Sequence, residues 1–222
     1  MLREELKNLL QSFTEEDFYS NTDLHIHSCE SDGRLSPCEI VELAKKADKK
    51  YISICDHNSI EAYFSTNILK EEIIIPAVEF DCLHKGILIH ILGYGIDIDN
   101  KDIKSLCAKS KAGRKCTLFR LFRLRNTEEV IDKIKAAGGA AVLAHPACCP
   151  CFNLESFIMS LVDLGIDGLE VYYPYKRLRG ILKFHLKKSV ETIADKYHLI
   201  KTGGTDTHGK KLLRQQYKNI AK

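Results

Sequence analysis

Two hydrophobic rhythms run along the chain. Leu2, Leu6, Leu9, Leu10 and Phe13 recur at the spacing of one helical face, which predicts an opening amphipathic helix. Beyond it, short β-branched runs alternate with helical stretches. Strands are expected over Thr22–Ile26, Tyr51–Cys55, Ile73–Val78, Gly86–Leu92, Ala140–Ala144, Gly168–Tyr172 and Leu199–Thr202. Helices are expected over Pro37–Ala47, Ile60–Leu69, Thr127–Ala137, Leu154–Leu164 and Leu178–Tyr197. The helix at Pro37 carries a start signal: Ser36 as N-cap, Pro37 at the first helical position and Glu39 as capping-box partner. Strands interleaved with helices predict βαβ units, an α/β class and a mostly parallel sheet. Seven such strands fit one small barrel spanning residues 1–222 better than two domains.

Composition narrows the class. The 222 residues carry 33 Lys and Arg against 30 Asp and Glu, a net charge of +3, with 45% hydrophobic residues. Low net charge and plentiful aliphatics exclude a disordered chain. The longest apolar runs, 73–75 and 138–144, fall far short of the roughly 20 residues of a membrane span, so no membrane partner is expected. The N-terminus lacks a signal peptide's apolar core, and nine cysteines without one read as reduced thiols, which predicts the cytoplasm. Charge is unevenly spread. Residues 101–125 hold nine basic side chains and one acid, a net of +8, leaving the rest at −5. This predicts a short basic helical insertion at 101–126, read either as a solvated face or as a surface for phosphates or nucleic acid.

Nine histidines raise the question of metal. In Asp23-Leu24-His25-Ile26-His27-Ser28-Cys29-Glu30-Ser31-Asp32-Gly33, His25 and His27 are two apart in a strand and share a side, the arrangement that holds a divalent ion, and Asp32 can add a carboxylate. Cys55-Asp56-His57-Asn58 ends the second strand, with Asp56 able to orient His57. Pro76-Ala77-Val78-Glu79 closes an Ile-rich strand with an acid, which burial forbids without a cation or solvent. His90, between Ile89 and Ile91, reads by itself as a satisfied core histidine. His145 follows a strand of small residues, and Gly203-Gly204-Thr205-Asp206-Thr207-His208-Gly209 places an acid and an imidazole two apart on a tight turn.

Five of these six pieces fall at carboxyl ends of expected strands, the face on which α/β barrels carry their sites. Six His, two Asp and one Glu exceed what one ion takes. Two or three metals are implied, with Glu79 as bridge, and two metals about 4 Å apart are a clamp for in-line displacement at phosphorus.

The motifs DLHIHSCESDG, CDHN, PAVEF, HILGYGID, LAHP and GGTDTHG resemble those of the PHP (polymerase and histidinol phosphatase) family, in its stand-alone metal-dependent phosphoesterase branch, from about Asp23 to Gly209. The resemblance implies a distorted (β/α)7 TIM-like barrel and metal ligands at His25, His27, Asp32, His57, Glu79, His90, His145, Asp206 and His208. All but His90 are also expected to be catalytic. The chain departs from the family in three ways: Asn58 stands where the family has an acid, the interval between His90 and His145 is short, and the first helix is extra.

The expected activity is hydrolysis of a phosphate monoester, a nucleotide or another small phosphorylated metabolite, by hydroxide formed on two or three Zn, Mn or Fe ions. Arg177, after the sixth strand, and Arg34, after Ser-Asp-Gly, are candidates to bind substrate phosphate. Glu170 is expected to support the site from within its strand. Cys148, Cys149 and Cys151 read as a thiol-rich loop. Two rivals stand: an exonuclease-type phosphodiesterase on short oligonucleotides, favoured by the basic segment, and a non-catalytic metal-binding domain serving a partner protein.

Overall fold

The computed structural model describes residues 2–175 and 184–211. Arg177 and the start of the helix expected at Leu178 lie outside them. Two helices open the chain, α1 (Arg3–Ser12) and α2 (Glu15–Ser20). Helix α1 buries Leu6 and Leu10, as its periodicity requires. Arg3 fastens it, with Nη2 2.6 and 2.8 Å from the two Asp167 oxygens and Nε donating to the Gly139 carbonyl at 3.0 Å. Helix α2 is an addition to the expected elements. It has six residues, too few for a periodic signal, and Thr14 and Asp17 cap it reciprocally.

The strands form two sheets. β1 (Thr22–Ile26) and β2 (Tyr51–Ile54) make a parallel pair, joined through α3 (Pro37–Lys46) with its expected capping box. The larger sheet has the order β5-β3-β4-β6-β7-β8, where β3 is Ala77–His84, β4 Ile87–Tyr94, β5 Arg125–Asn126, β6 Ala140–Leu143, β7 Gly168–Tyr172 and β8 Ile200–Gly203. Pairs β3–β5, β6–β7 and β7–β8 are parallel, but β4 runs antiparallel to both β3 and β6. The mostly parallel expectation is therefore corrected at β4. The cause is the two-residue turn Lys85-Gly86, with φ of 48° and 77°, which folds β3 and β4 into a hairpin. Among the described residues the two sheets are linked by isolated bridges, Ile26–Thr207, Ile52–Ile74 and His57–Glu79, rather than by continuous ladders.

Two further expectations shift. The strand expected over Ile73–Val78 begins instead at Ala77, because Pro76 has no N–H for a ladder. Ile73 and Ile75 bond on either side of Ile52, at 2.8 and 3.0 Å. The helix expected over Ile60–Leu69 is α4 (Glu61–Phe64) followed by a 3-10 turn at Ile68–Lys70. The Thr66 hydroxyl bonds the Ala62 carbonyl at 2.7 Å where the helix stops.

Helices α8 (Thr127–Ala136) and α9 (Leu154–Val162) match expectation, whereas α10 (Lys187–Lys196) begins later than the helix expected from Leu178, residues 184–186 being non-helical with Leu186 extended at its N-cap; α8 packs on β3, β4 and β6 and α10 on β7 and β8. The basic stretch folds as three short helices, α5 (Lys101–Leu106), α6 (Lys111–Lys115) and α7 (Thr117–Leu121). Phe80, Ile91, Leu92 and Tyr94 are fully buried at the centre, and the Tyr94 hydroxyl reaches across to the Leu24 carbonyl at 3.0 Å. No helix among the described residues is long and apolar enough to cross a membrane.

Candidate metal centre

The nine expected ligand residues converge on one cluster. His25 closes β1 beside Ile26, and His27 follows directly. Their Nε2 atoms lie 3.1 Å apart and both rings are buried. Gly204 permits this approach: a Cβ there would lie 2.4 Å from the His25 Cβ and backbone nitrogen. Asp23 ties the two segments, accepting from the Thr205 N–H at 2.9 Å and the Thr205 hydroxyl at 2.7 Å. The Asp206 N–H donates to the His25 carbonyl at 2.7 Å, so the turn after β8 is held against β1.

His57 follows β2, His145 follows β6, and Asp206 and His208 follow β8. Glu79 differs from the expected placement: it lies near the start of β3, level with His57 through the His57–Glu79 bridge. Asn58, His145 and Asp206 all have positive φ, at 53°, 34° and 50°. Such backbone is costly outside glycine and collects at functional sites.

The Glu79 carboxylate is the hub. Oε1 lies 2.9 Å from His90 Nδ1 and 3.6 Å from His145 Nε2, and Oε2 lies 3.3 Å from His27 Nε2, 3.3 Å from His57 Nδ1 and 3.5 Å from His25 Nε2. Yet both oxygens are buried and neither accepts a hydrogen bond of acceptable geometry. His27 Nδ1 and His57 Nδ1 are likewise buried without a hydrogen-bond partner. Five imidazole nitrogens around an unsatisfied carboxylate are what a cation between them would require. Among the described residues three groups of donor atoms could each hold an ion: His27, Asp32, His57 and His208; His25, His27 and Asp206; and His57, Glu79 and His90. His90 is thus drawn into the cluster rather than satisfied in the core. His145 contacts Glu79 and His90, the latter with 3.3 Å between Nε2 and Nδ1.

Charge in the cluster is self-compensating. Burial works against protonation of His27, but the nearby Asp206 and Glu79 carboxylates, 3.1 and 3.3 Å from Nε2, outweigh it and hold the ring up at about 9. His90 is held at about 10 in the same way, against burial, by Glu79 and Asp81. His25 is also raised, by Glu170, Glu79 and Asp206 acting against its burial. His57 and His145 are pushed down, chiefly by burial. Against their own burial, Glu79 and Asp206 are held well below the usual carboxylate range by the surrounding imidazoles.

Neighbouring side chains fix the ligands. Glu170 stands 2.8 Å from His25 Nδ1, setting the tautomer that turns Nε2 to the cluster, and accepts the His145 N–H at 2.8 Å. The Tyr173 hydroxyl donates to Asp206 at 2.8 Å. Asp56 corrects an expectation. Rather than orienting His57, it accepts from the Ser28 N–H at 2.8 Å and from the Ser28 and Ser31 hydroxyls, both at 2.5 Å.

Two residues in the cluster carry no metal-ligand motif. Asp81, two residues beyond Glu79 on the same face of β3, places Oδ1 3.2 Å from His57 Nδ1 and 3.1 Å from His90 Nε2. It accepts from the Asn58 amide and returns its own N–H to Asn58 Oδ1 at 3.0 Å. Arg120, on α7, reaches Asp32 at 3.0 Å and Asp81 at 3.4 Å. The i, i+2 spacing of Glu79 and Asp81 was the available signal for the first. Nothing local marks the second.

A cavity of about 410 Å³ opens over the cluster, walled by Leu88, Leu121, Leu124, Thr117 and Arg120. Arg34 is exposed and does not line it. Arg177 lies outside the described residues. The thiol-rich loop puts Cys151 Sγ 3.4 Å from His185 Nε2, and all nine cysteines are free.

No family model matches the chain. It is 32% identical over 119 residues to a 5'-3' exoribonuclease of Haemophilus influenzae, covering 52% of this chain but only 40% of that protein. It is 22% identical to a phosphoribosyl 1,2-cyclic phosphate 1,2-diphosphodiesterase of Eggerthella lenta, covering 85% and 94% of the two chains. It is 25% identical to a 3',5'-nucleoside bisphosphate phosphatase of Chromobacterium violaceum, covering 85% and 87%. Among solved structures, a Chromobacterium violaceum amidohydrolase with bound sulfate and no metal superposes with TM-score 0.70 at 20% identity, over 86% of this chain and 88% of that one. A Bifidobacterium adolescentis chain assigned as a metal-dependent phosphoesterase gives 0.68 at 21% identity, over 86% and 88%. A two-domain Bacteroides vulgatus protein assigned a PHP-like metal-dependent phosphoesterase gives 0.55 at 15% identity, over 86% and 52%. The chain therefore has the mixed α/β fold of the PHP-like metal-dependent phosphoesterases.

Proposed function

We infer that this chain is a metal-dependent phosphoester hydrolase acting on a small phosphate monoester, a nucleotide or another small phosphorylated metabolite. The observation that carries the reading is the buried Glu79 carboxylate, ringed by five imidazole nitrogens and accepting no hydrogen bond. Two or three divalent ions (Zn, Mn or Fe) would be held by the three donor groups, with Glu79 among the donors. Bound there, such ions supply a nucleophilic water at neutral pH and counter-charge for phosphoryl oxygens. The chain's own residues do the rest. Glu170 and Tyr173 lock His25 and Asp206 in place, and the cavity's leucines exclude water and receive the apolar part of a leaving group. Sulfate bound to the Chromobacterium neighbour supports a tetrahedral anion as the ligand class.

On this reading the isolated bridges close a distorted (β/α)7 barrel, residues 1–222 form one domain, and the nine free thiols suit a reducing cytoplasm.

A second reading, an exonuclease-type phosphodiesterase, is favoured by one observation. Beside the catalytic cavity, and sharing Leu124 with it, lies a groove lined by Lys109, Arg123, Arg125 and Asn126. The exoribonuclease relative points the same way. The deciding experiment compares phosphate release from nucleoside monophosphates with shortening of an end-labelled oligonucleotide. The monoesterase reading predicts phosphate release without shortening. A metal-loaded chain that does neither, and retains a partner protein instead, would be a binding domain.

A further inference from the structure

The basic insertion delivers one charge inward. Of its nine basic side chains, Arg120 is the one classed as buried, at 7% exposure; the others are exposed or half-buried. It lines the cavity over the histidine–carboxylate cluster. Two carboxylates hold it there: Nη1 donates to Asp32 Oδ2 at 3.0 Å, and Nε stands 3.4 Å from Asp81 Oδ2 as an ion pair without hydrogen-bond geometry. A guanidinium has five N–H donors. Among the described residues the side chain of Arg120 makes one hydrogen bond, the one to Asp32. A buried cation with most of its donors unspent, on the wall of a cavity, awaits an anion.

Asp81 explains why the guanidinium sits where it does. Asn58 is neutral, and its amide is committed to Asp81. The carboxylate on this side of the cluster is therefore Asp81, which faces His57 and His90 with one oxygen and Asn58 and Arg120 with the other.

We propose that Arg120 is the substrate-phosphate-binding group of this site, carried into the cavity by the insertion, and that Asp81, together with Asp32, is its positioning residue. This rests on the phosphoester hydrolase reading. Planar donors matched to a phosphoryl group suit this task better than a point charge.

The test measures binding of inorganic phosphate to the metal-loaded full chain by calorimetry, beside KM and kcat on a phosphomonoester and metal content by mass spectrometry. Loss of one charge-assisted contact predicts about 10- to 100-fold weaker phosphate binding in Arg120→Ala, with KM rising in step and metal content unchanged. Arg120→Lys should recover part of the affinity. Asp81→Asn should weaken phosphate less than Arg120→Ala, and the double variant should bind it no worse than Arg120→Ala alone, because Asp81 acts through Arg120. Wild-type phosphate affinity in Arg120→Ala overturns the proposal. Where Arg120→Ala loses metal or fold, the neutral Arg120→Gln takes its place, and wild-type phosphate affinity in metal-loaded Arg120→Gln overturns the proposal as well. A wild-type chain that binds phosphate through Arg120 yet hydrolyses no ester would leave the anion site standing and defeat the hydrolase reading instead.

Discussion

Glu79 concentrates the chemistry at the scale of single residues. Its side chain is isosteric with glutamine, so Glu79→Gln keeps the packing and removes the charge that four histidine-bearing segments share. Bound metal should fall below the wild-type content, and hydrolysis should drop by about 100-fold or more, as expected when transition-state charge loses its counter-charge. Metal analysis beside phosphate release checks this. The histidines make a second prediction. At pH 7 the metal-free chain keeps protons on His27, held at about 9, and on His90, held at about 10. Ligation needs neutral imidazole, so loading with Zn at pH 7 should release about two or more protons per chain, and affinity should rise with pH. Calorimetry in two buffers of different ionisation enthalpy measures the release. Proton-neutral loading would contradict the protonation pattern. The sign for stability is opposite: the metal-free chain loses the His27 and His90 contributions as pH climbs through about 9 to 10, while the lowered carboxylates lose theirs on acidification.

Strand ends and the turns beyond them decide which side chains meet. Gly204 lets the turn after β8 press against His25 on β1. Gly204→Ala places a methyl group 2.4 Å from backbone and Cβ atoms, so the turn carrying Asp206 and His208 must move. A loss of roughly 1–3 kcal/mol in urea denaturation is expected, together with reduced metal content. Element positions also show what was legible. His25, His27, His57, His145, Asp206 and His208 could be read because metal-ligand residue types recur just where β-branched runs stop. The reversal of β4 could not be read from its hydrophobic run, since a run of Ile and Leu carries no direction. The two positive φ values at Lys85 and Gly86 supply it. Glu79 reads from sequence as an acid closing its strand, but it lies near the strand's start, because Pro76 delays pairing until Ala77. Asp81 carries a local signal in its i, i+2 spacing from Glu79, whereas Arg120 carries none, because its role exists only once the insertion folds back over β3.

For the whole molecule, the near-neutral charge is an average of one basic insertion, +8 over 101–125, and a remainder of −5. The groove holding Lys109 and Arg123 is separate from the histidine cluster, which makes the two functional readings separable. Replacing both residues with Gln should leave the KM for a small monoester unchanged. If an oligonucleotide binds the groove, the same variant should weaken that binding and make the salt dependence of log K shallower by about 1.4, at roughly 0.7 per single-strand phosphate contact. Filter binding across a salt series reads both values.

On the proposed function the cluster binds at least two divalent ions and uses them to cleave phosphate esters. Metal analysis of the purified chain, joined to phosphate release before and after chelation and reloading with Mn, tests it most directly. The account predicts two or more ions per chain, activity abolished by chelation and restored by reloading. Fewer than two ions per chain, with no phosphate released after reloading, would contradict it.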